Sequence, residues 1–201
     1  MIHNLIVPGV GGSEYQHWQS WLQRQLMSCS RVQQQDWNLP ILQDWVAQCV
    51  KTLAAIQQPV QIIAHSFGCL TSVAALALHP ELQAQVKRLL LVAPANPARF
   101  GDHGFACNSH NDYAAWFHQL KVAVPAQMLI SENDPWLSFT DAQRLAQAWN
   151  LQPVNLGAVG HINVASGFGA FPEIFDYLIP ECRSLAATPA EDESMLFKFA
   201  I

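Results

Sequence analysis

The sequence predicts an α/β fold in three layers, α/β/α, with a mainly parallel central sheet. Two observations lead there. Short apolar runs alternate with helix-periodic segments almost from end to end, and repeated β-then-α units force parallel pairing with helices on both faces. Residues 88–93 (RLLLVA) form a continuous apolar run, which a strand needs when both of its faces are covered.

Residues 2–7 are a first apolar run, read as a buried strand stopped by Pro8-Gly9. Trp18, Trp21, Leu22 and Leu26 follow at helical spacing. Residues 31–36 read as a more polar strand nearer an edge. Leu42, Trp45, Val46, Cys49, Val50 and Leu53 mark the clearest amphipathic helix, with Pro40 placed to open it. Residues 60–64 are the next strand, followed by a helix in which Leu70, Val73, Ala74 and Ala77 share a face. After the run at 88–93, residues 94–118 break the rhythm with several prolines and glycines, and a short helix is expected at 113–120. Strand resumes at 126–130, helix at 139–149, and a short strand at 154–156. Phe171, Ile174, Phe175, Leu178 and Ile179 are read as a last amphipathic helix.

The 201 residues have room for one domain with a real core. We place it at residues 1–185, with 94–120 as an irregular excursion and potential partial lid, and 186–201 as a tail. Apolar residues make up 51 %, seven of them Trp, which excludes whole-chain disorder. Charged residues are only 12 %, and 19 Gln supply much of the missing polarity. The net charge is −5 and the Lys and Arg residues are scattered, so no cationic cluster exists to bind nucleic acid. The longest stretch free of charge, residues 52–80, holds Pro59, two His and several Gln, and is no membrane span. The N-terminus has neither the basic region nor the apolar stretch of a signal peptide. Five cysteines without a CxxC read as small hydrophobes, and a reduced, cytoplasmic setting is the expectation.

In an open parallel sheet, function collects at the carboxyl ends of the strands. The strand at 60–64 is followed by His65-Ser66-Phe67-Gly68, directly before a helix. Small-x-Ser-x-Gly at a strand-to-helix turn is a nucleophile elbow: small residues two places either side of the serine let strand and helix crowd together, and the turn lifts the hydroxyl clear. The plain alternative is that Ser66 merely caps the helix. An acid and then a histidine should follow. Asp134 lies after the strand at 126–130, and His161 lies after the strand at 154–156. His161 is the candidate base, with Asp134 holding its tautomer. Glu132 is a competing acid, set aside because Pro135 places Asp134 at the turn. The oxyanion hole is assigned to backbone N–H groups of Phe67 and of Val10 or Gly11, in the glycine loop Pro8-Gly9-Val10-Gly11-Gly12-Ser13. That loop lacks the Lys-Ser/Thr ending of a phosphate-binding loop.

These residues resemble the bacterial branch of the small α/β-hydrolase-fold serine hydrolases related to retinoblastoma-binding protein 9. The resemblance covers residues 5–178 and rests on PGVGGS (8–13), His17-Trp18 with Trp21, Asp36-Trp37 with Pro40 and Trp45, AHSFGCL (64–70), LLLVAP (89–94), Asp134-Pro135, Ala148-Trp149 and GHINVASGFG (160–169). It implies Ser66, Asp134 and His161 as the triad. Asn133 stands where an acidic residue is expected, and no Leu-x-Cys-x-Glu segment occurs, so retinoblastoma binding is not carried over.

Trp18, Trp21 and Trp45 are assigned to the core and Trp136 to the substrate pocket wall. His17 is expected to hydrogen-bond within the glycine loop, and His65 to point into structure. His103, His110 and His118 are too loosely spaced for zinc, and no metal or cofactor is expected. The sequence therefore points to a hydrolase of small esters, thioesters or amides. The competing class is a binding or scaffold protein that keeps the fold with a silent triad.

Overall fold

The computed structural model of the protein describes residues 1–106 and 113–179. The expected tail and part of the 94–120 excursion lie outside the described residues. Strands β1 (His3–Val7), β2 (Cys29–Arg31), β3 (Val60–Ser66) and β4 (Val86–Pro94) join two later strands in one six-stranded sheet. Helices α1 (Trp18–Gln25), α2 (Leu42–Ala55) and α3 (Phe67–Leu78) connect the first four strands. A two-residue-arm hairpin, β5 (Phe100–Gly101) with β6 (Gly104–Phe105), and helix α4 (Tyr113–Gln119) then precede β7 (Ala126–Ile130). Helix α5 (Phe139–Ala148) and β8 (Pro153–Asn155) complete the sheet, in the order β2-β1-β3-β4-β7-β8 with every neighbouring pair parallel.

The period-2 geometry of strands divides the core in two. Leu5, Val7, Ile62, Ala64, Leu89, Leu91, Met128 and Ile130 face α2, α3 and α5. Ile6, Ile63, Leu90, Val92 and Leu129 face Trp18 and Leu22 of α1 and the C-terminal segment around Ile174. Both faces are covered, which explains why the central strands read as unbroken apolar runs. Helix α1 lies on one face and α2 on the other because the chain reverses direction after β2. It passes back over β1 to reach β3, making β1/β3 the topological switch point of the sheet.

Three elements depart from the sequence reading. The expected strand at 31–36 is instead Cys29–Arg31. The chain leaves the edge once Val32 N–H has reached Ile6 O at 2.9 Å, and Asp36 then closes a local turn onto Asn38 N–H at 2.7 Å. The expected helix over 171–179 is a 3-10 helix, Pro172–Tyr177. Its periodicity is real, since Ile174 and Leu178 are buried, but the backbone closes on the third residue, with Ile174 N–H donating to Phe171 O at 3.1 Å and Leu178 N–H to Phe175 O at 3.2 Å. Pro40 lies before the N-cap of α2, Ile41, rather than in its first turn.

Candidate active site

The switch point brings together the loop after β1 and the turn after β3. Their backbones touch: a Cβ on Gly9 would lie 2.7 Å from Ser66 Cβ, and one on Gly68 would run into the carbonyl oxygens of Val7 and Pro8. Only glycine fits at either place, which is the physical content of the small-residue pattern around Ser66. Ser66 itself sits at φ 54°, ψ −123°, a region that residues with a side chain rarely occupy and that costs about 1–3 kcal/mol. Although Ser66 holds the N-cap position of α3, its side chain makes no capping hydrogen bond. The capping alternative therefore fails.

The Ser66 hydroxyl is instead 2.9 Å from His161 Nε2. On the other side of the ring, His161 Nδ1 lies 2.8 Å and 2.9 Å from the two carboxylate oxygens of Asp134. A carboxylate can only accept, so Nδ1 donates and Nε2 is left as the acceptor facing the hydroxyl. Asp134 Oδ1 also accepts the Trp136 N–H at 2.8 Å, which fixes the carboxylate. Both Asp134 and His161 are buried. Glu132, the competing acid, is exposed and accepts from Asn155 Nδ2 at 2.8 Å instead.

The loop that carries His161 is held from several directions. Asn133 Oδ1 accepts the Gly160 N–H at 2.7 Å and the Ser131 hydroxyl at 3.0 Å. Trp18 Nε1 donates to Ile162 O at 2.8 Å, and His65 Nε2 donates to His161 O at 3.0 Å. An amide at Asn133 thus makes a structural bond to the histidine loop, which its departure from the expected acid did not announce. Trp18 is core, as expected, but its indole N–H also braces the site. His17 Nδ1 accepts the Gln19 N–H and so caps α1, rather than bonding within the glycine loop. Burial, followed by the charges of Arg31 and His161, pushes His17 down to about 3. Burial likewise pushes His65 well below the usual histidine value, helped by His17 and His161. Both rings are neutral near pH 7.

Of the two glycine-loop N–H groups assigned to an oxyanion hole, Gly11 is already engaged, donating to Trp37 O at 2.9 Å. That is a correction: the Gly11 donor is used to pin the loop, and Val10 is the one left. The Phe67 N–H opens α3 and has no intrahelical partner. A cavity of about 310 Å³ opens beside Ser66. Trp136 lines it, as do Arg99, Phe100, Phe105 and Val164. The first three of these four come from the excursion after β4, whose short irregular segments gave no periodic signal to read.

Among solved structures the chain is similar to a YdeN-like hydrolase of Pectobacterium atrosepticum, at 34 % identity and TM-score 0.74 with 89 % of each chain covered. It also resembles the ydeN gene product of B. subtilis, at 17 % identity and TM-score 0.66, covering 88 % of this chain and 96 % of that one. Est1E of Butyrivibrio proteoclasticus, solved with ferulic acid bound, aligns at 12 % identity and TM-score 0.59, over 81 % of this chain and 82 % of that one. The last two share the fold. No curated protein matches the chain. The serine hydrolase family matches residues 4–179, a span that takes in the glycine loop, the Ser66 turn and both loops that face it. The chain belongs to that family.

Proposed function

We propose that the protein hydrolyses a small ester, thioester or amide through an acyl-enzyme on Ser66, as a carboxylesterase-like member of the bacterial branch related to retinoblastoma-binding protein 9. The observation that carries this reading is the unbroken hydrogen-bonded chain from Asp134 through His161 to Ser66, beside the cavity. Ser66 Oγ attacks the substrate carbonyl carbon while its proton passes to His161 Nε2. The carbonyl oxygen becomes an oxyanion facing the N–H groups of Phe67 and Val10, each worth roughly 3 kcal/mol in the transition state. His161 returns the proton to the leaving group. Water, deprotonated by the same nitrogen, then releases the acid and restores Ser66. Asp134 keeps the imidazole in the tautomer that this sequence of transfers requires.

At about 310 Å³ the cavity lies at the small end of ligand sites, roughly 300–1,000 Å³. Short acyl groups fit it, and short-chain nitrophenyl esters are the expected substrates. The segment after β4 supplies one wall of the cavity and acts as a partial lid. A fluorophosphonate probe tests the reading directly: the native protein is labelled and Ser66→Ala is not. Absence of Ser66-dependent labelling would return the protein to the binding or scaffold class.

A further inference from the structure

The cavity beside Ser66 contains a cation that forms no ion pair with the described residues. Arg99 ends the 3-10 turn Pro97–Arg99. Its backbone is pinned on both sides: its N–H donates to Asn96 O at 3.1 Å, and its carbonyl accepts from Ala106 N–H at 2.8 Å. The guanidinium carbon lies 4.1 Å from the centre of the Trp136 ring, and both side chains line the cavity with Ser66 and His161. The remaining described arginines each donate to another described residue. Arg24 donates to Tyr15 O, Arg31 to Gln23, Ser20 and two loop carbonyls, Arg88 to Gln127, and Arg144 to Asp141. Among the described residues, Arg99 is the arginine whose guanidinium bonds to none of them.

A guanidinium lying over an aromatic ring has one face covered and its N–H edge free. That edge matches the two oxygens of a carboxylate or phosphate, and the contact with the ring restrains where the guanidinium can go. The cavity is walled by Phe100, Phe105, Trp136 and Val164, with Phe105 and Trp136 exposed, so solvent and salt partly screen the attraction and it is read at low ionic strength. The whole chain carries −5, so no general positive field draws anions to the protein. Glu14, on the loop after β1, also lines the cavity. Its carboxylate disfavours an anion on that side.

We propose that Arg99 is a specificity-determining residue, selecting substrates in which a carboxylate or phosphate lies a short distance from the scissile bond. The proposal rests on the hydrolase reading and names its substrate class. The two arms of an ester provide two positions for the charge, so two matched pairs are compared by kcat/KM at low ionic strength and pH 8. The mono-nitrophenyl ester of adipic acid against nitrophenyl valerate places the carboxylate on the acyl arm. The 3-carboxyphenyl ester of butyric acid against phenyl butyrate places it on the leaving group. Ser66→Ala supplies the background for every ester. We expect the anionic member of at least one pair to be favoured about tenfold, the ratio to fall to near one in Arg99→Gln, and Arg99→Lys to keep part of it because charge survives but the planar fork does not. The ratio is read within each protein, so a general loss of activity does not move it. Ratios at or below one in both pairs, or ratios unchanged in Arg99→Gln, overturn the proposal while leaving the hydrolase reading intact. Absence of Ser66-dependent turnover of all four esters overturns the hydrolase reading, and the proposal with it.

Discussion

Asp134 and Glu132 are two residues apart on one loop, and their fates show how finely the chemistry depends on direction. Asp134 points its carboxylate at His161 Nδ1, and Glu132 points away to Asn155. Replacing Asp134 by Asn keeps shape and size, but the amide can present an N–H to the ring and favour the wrong tautomer. We expect Asp134→Asn to keep the native circular dichroism spectrum and to lower kcat by up to ~10⁴. Glu132→Gln removes a charge from an exposed contact, and its kcat should stay within about twofold of the native value. Nitrophenyl ester kinetics on the two variants side by side check this assignment, and greater damage from Glu132→Gln would transfer the role of acid to that residue. A preference for Asp134 was legible from Pro135. The bracing by Asn133, His65 and Trp18 was not, because a hydrogen bond across 27, 96 or 144 residues of sequence leaves no local trace.

At the scale of elements, the junction of β3 and α3 is tightly constrained. Gly68 packs directly on the backbone of Val7 and Pro8, and carbonyl groups in a strand and its exit loop cannot swing aside as a side chain does. Gly68→Ala is therefore expected to destabilise the protein by about 3 kcal/mol or more, lowering the melting temperature by roughly 6–12 °C for a domain of this size. Thermal unfolding followed by circular dichroism measures it, and a shift under 2 °C would mean that β1 and α3 can separate freely. The elements that the sequence reading located well are those with long, clean periodicity, α2 and the central strands. Those it misjudged are short: the edge strand β2, set by one partner strand, and the closing 3-10 helix, whose apolar spacing suits either coil. In such segments the local preference is weak, and the neighbouring surface decides.

For the whole molecule, two buried neutral histidines close to His161 tie stability to pH. His17 is pushed down to about 3, and His65 is pushed in the same direction by its burial. Unfolding restores both to the ordinary value near 6.5. Between about pH 3 and 6.5 the unfolded chain thus binds protons that the folded protein excludes, and stability falls as pH falls through that window. Their contribution is complete above about pH 7. At pH 5 His17 alone removes about 2 kcal/mol, a fall of roughly 4–8 °C in melting temperature. The melting temperature should accordingly decline between pH 7 and 5, and His17→Gln should flatten that decline relative to its own value at pH 7. An equally steep decline in the variant would place the acid sensitivity elsewhere.

Three things were determined by the sequence alone. Strand–helix alternation with unbroken apolar strands requires a covered parallel sheet. Ser66 between small residues at a strand-to-helix turn requires a sharp, exposed elbow. The order serine, acid, histidine at strand ends puts the three on one edge of the sheet. These are local or topological facts, and local propensity and connectivity are what a sequence encodes directly. Only the tertiary structure decided the others. It aimed the Asp134 carboxylate at His161 and that of Glu132 away from it, engaged Gly11 N–H on Trp37 O, and set the Arg99 guanidinium over Trp136 in the same cavity as Ser66. Each depends on groups far apart in the chain meeting within about 4 Å, and such meetings follow from how helices and loops pack on the sheet rather than from the residues on either side.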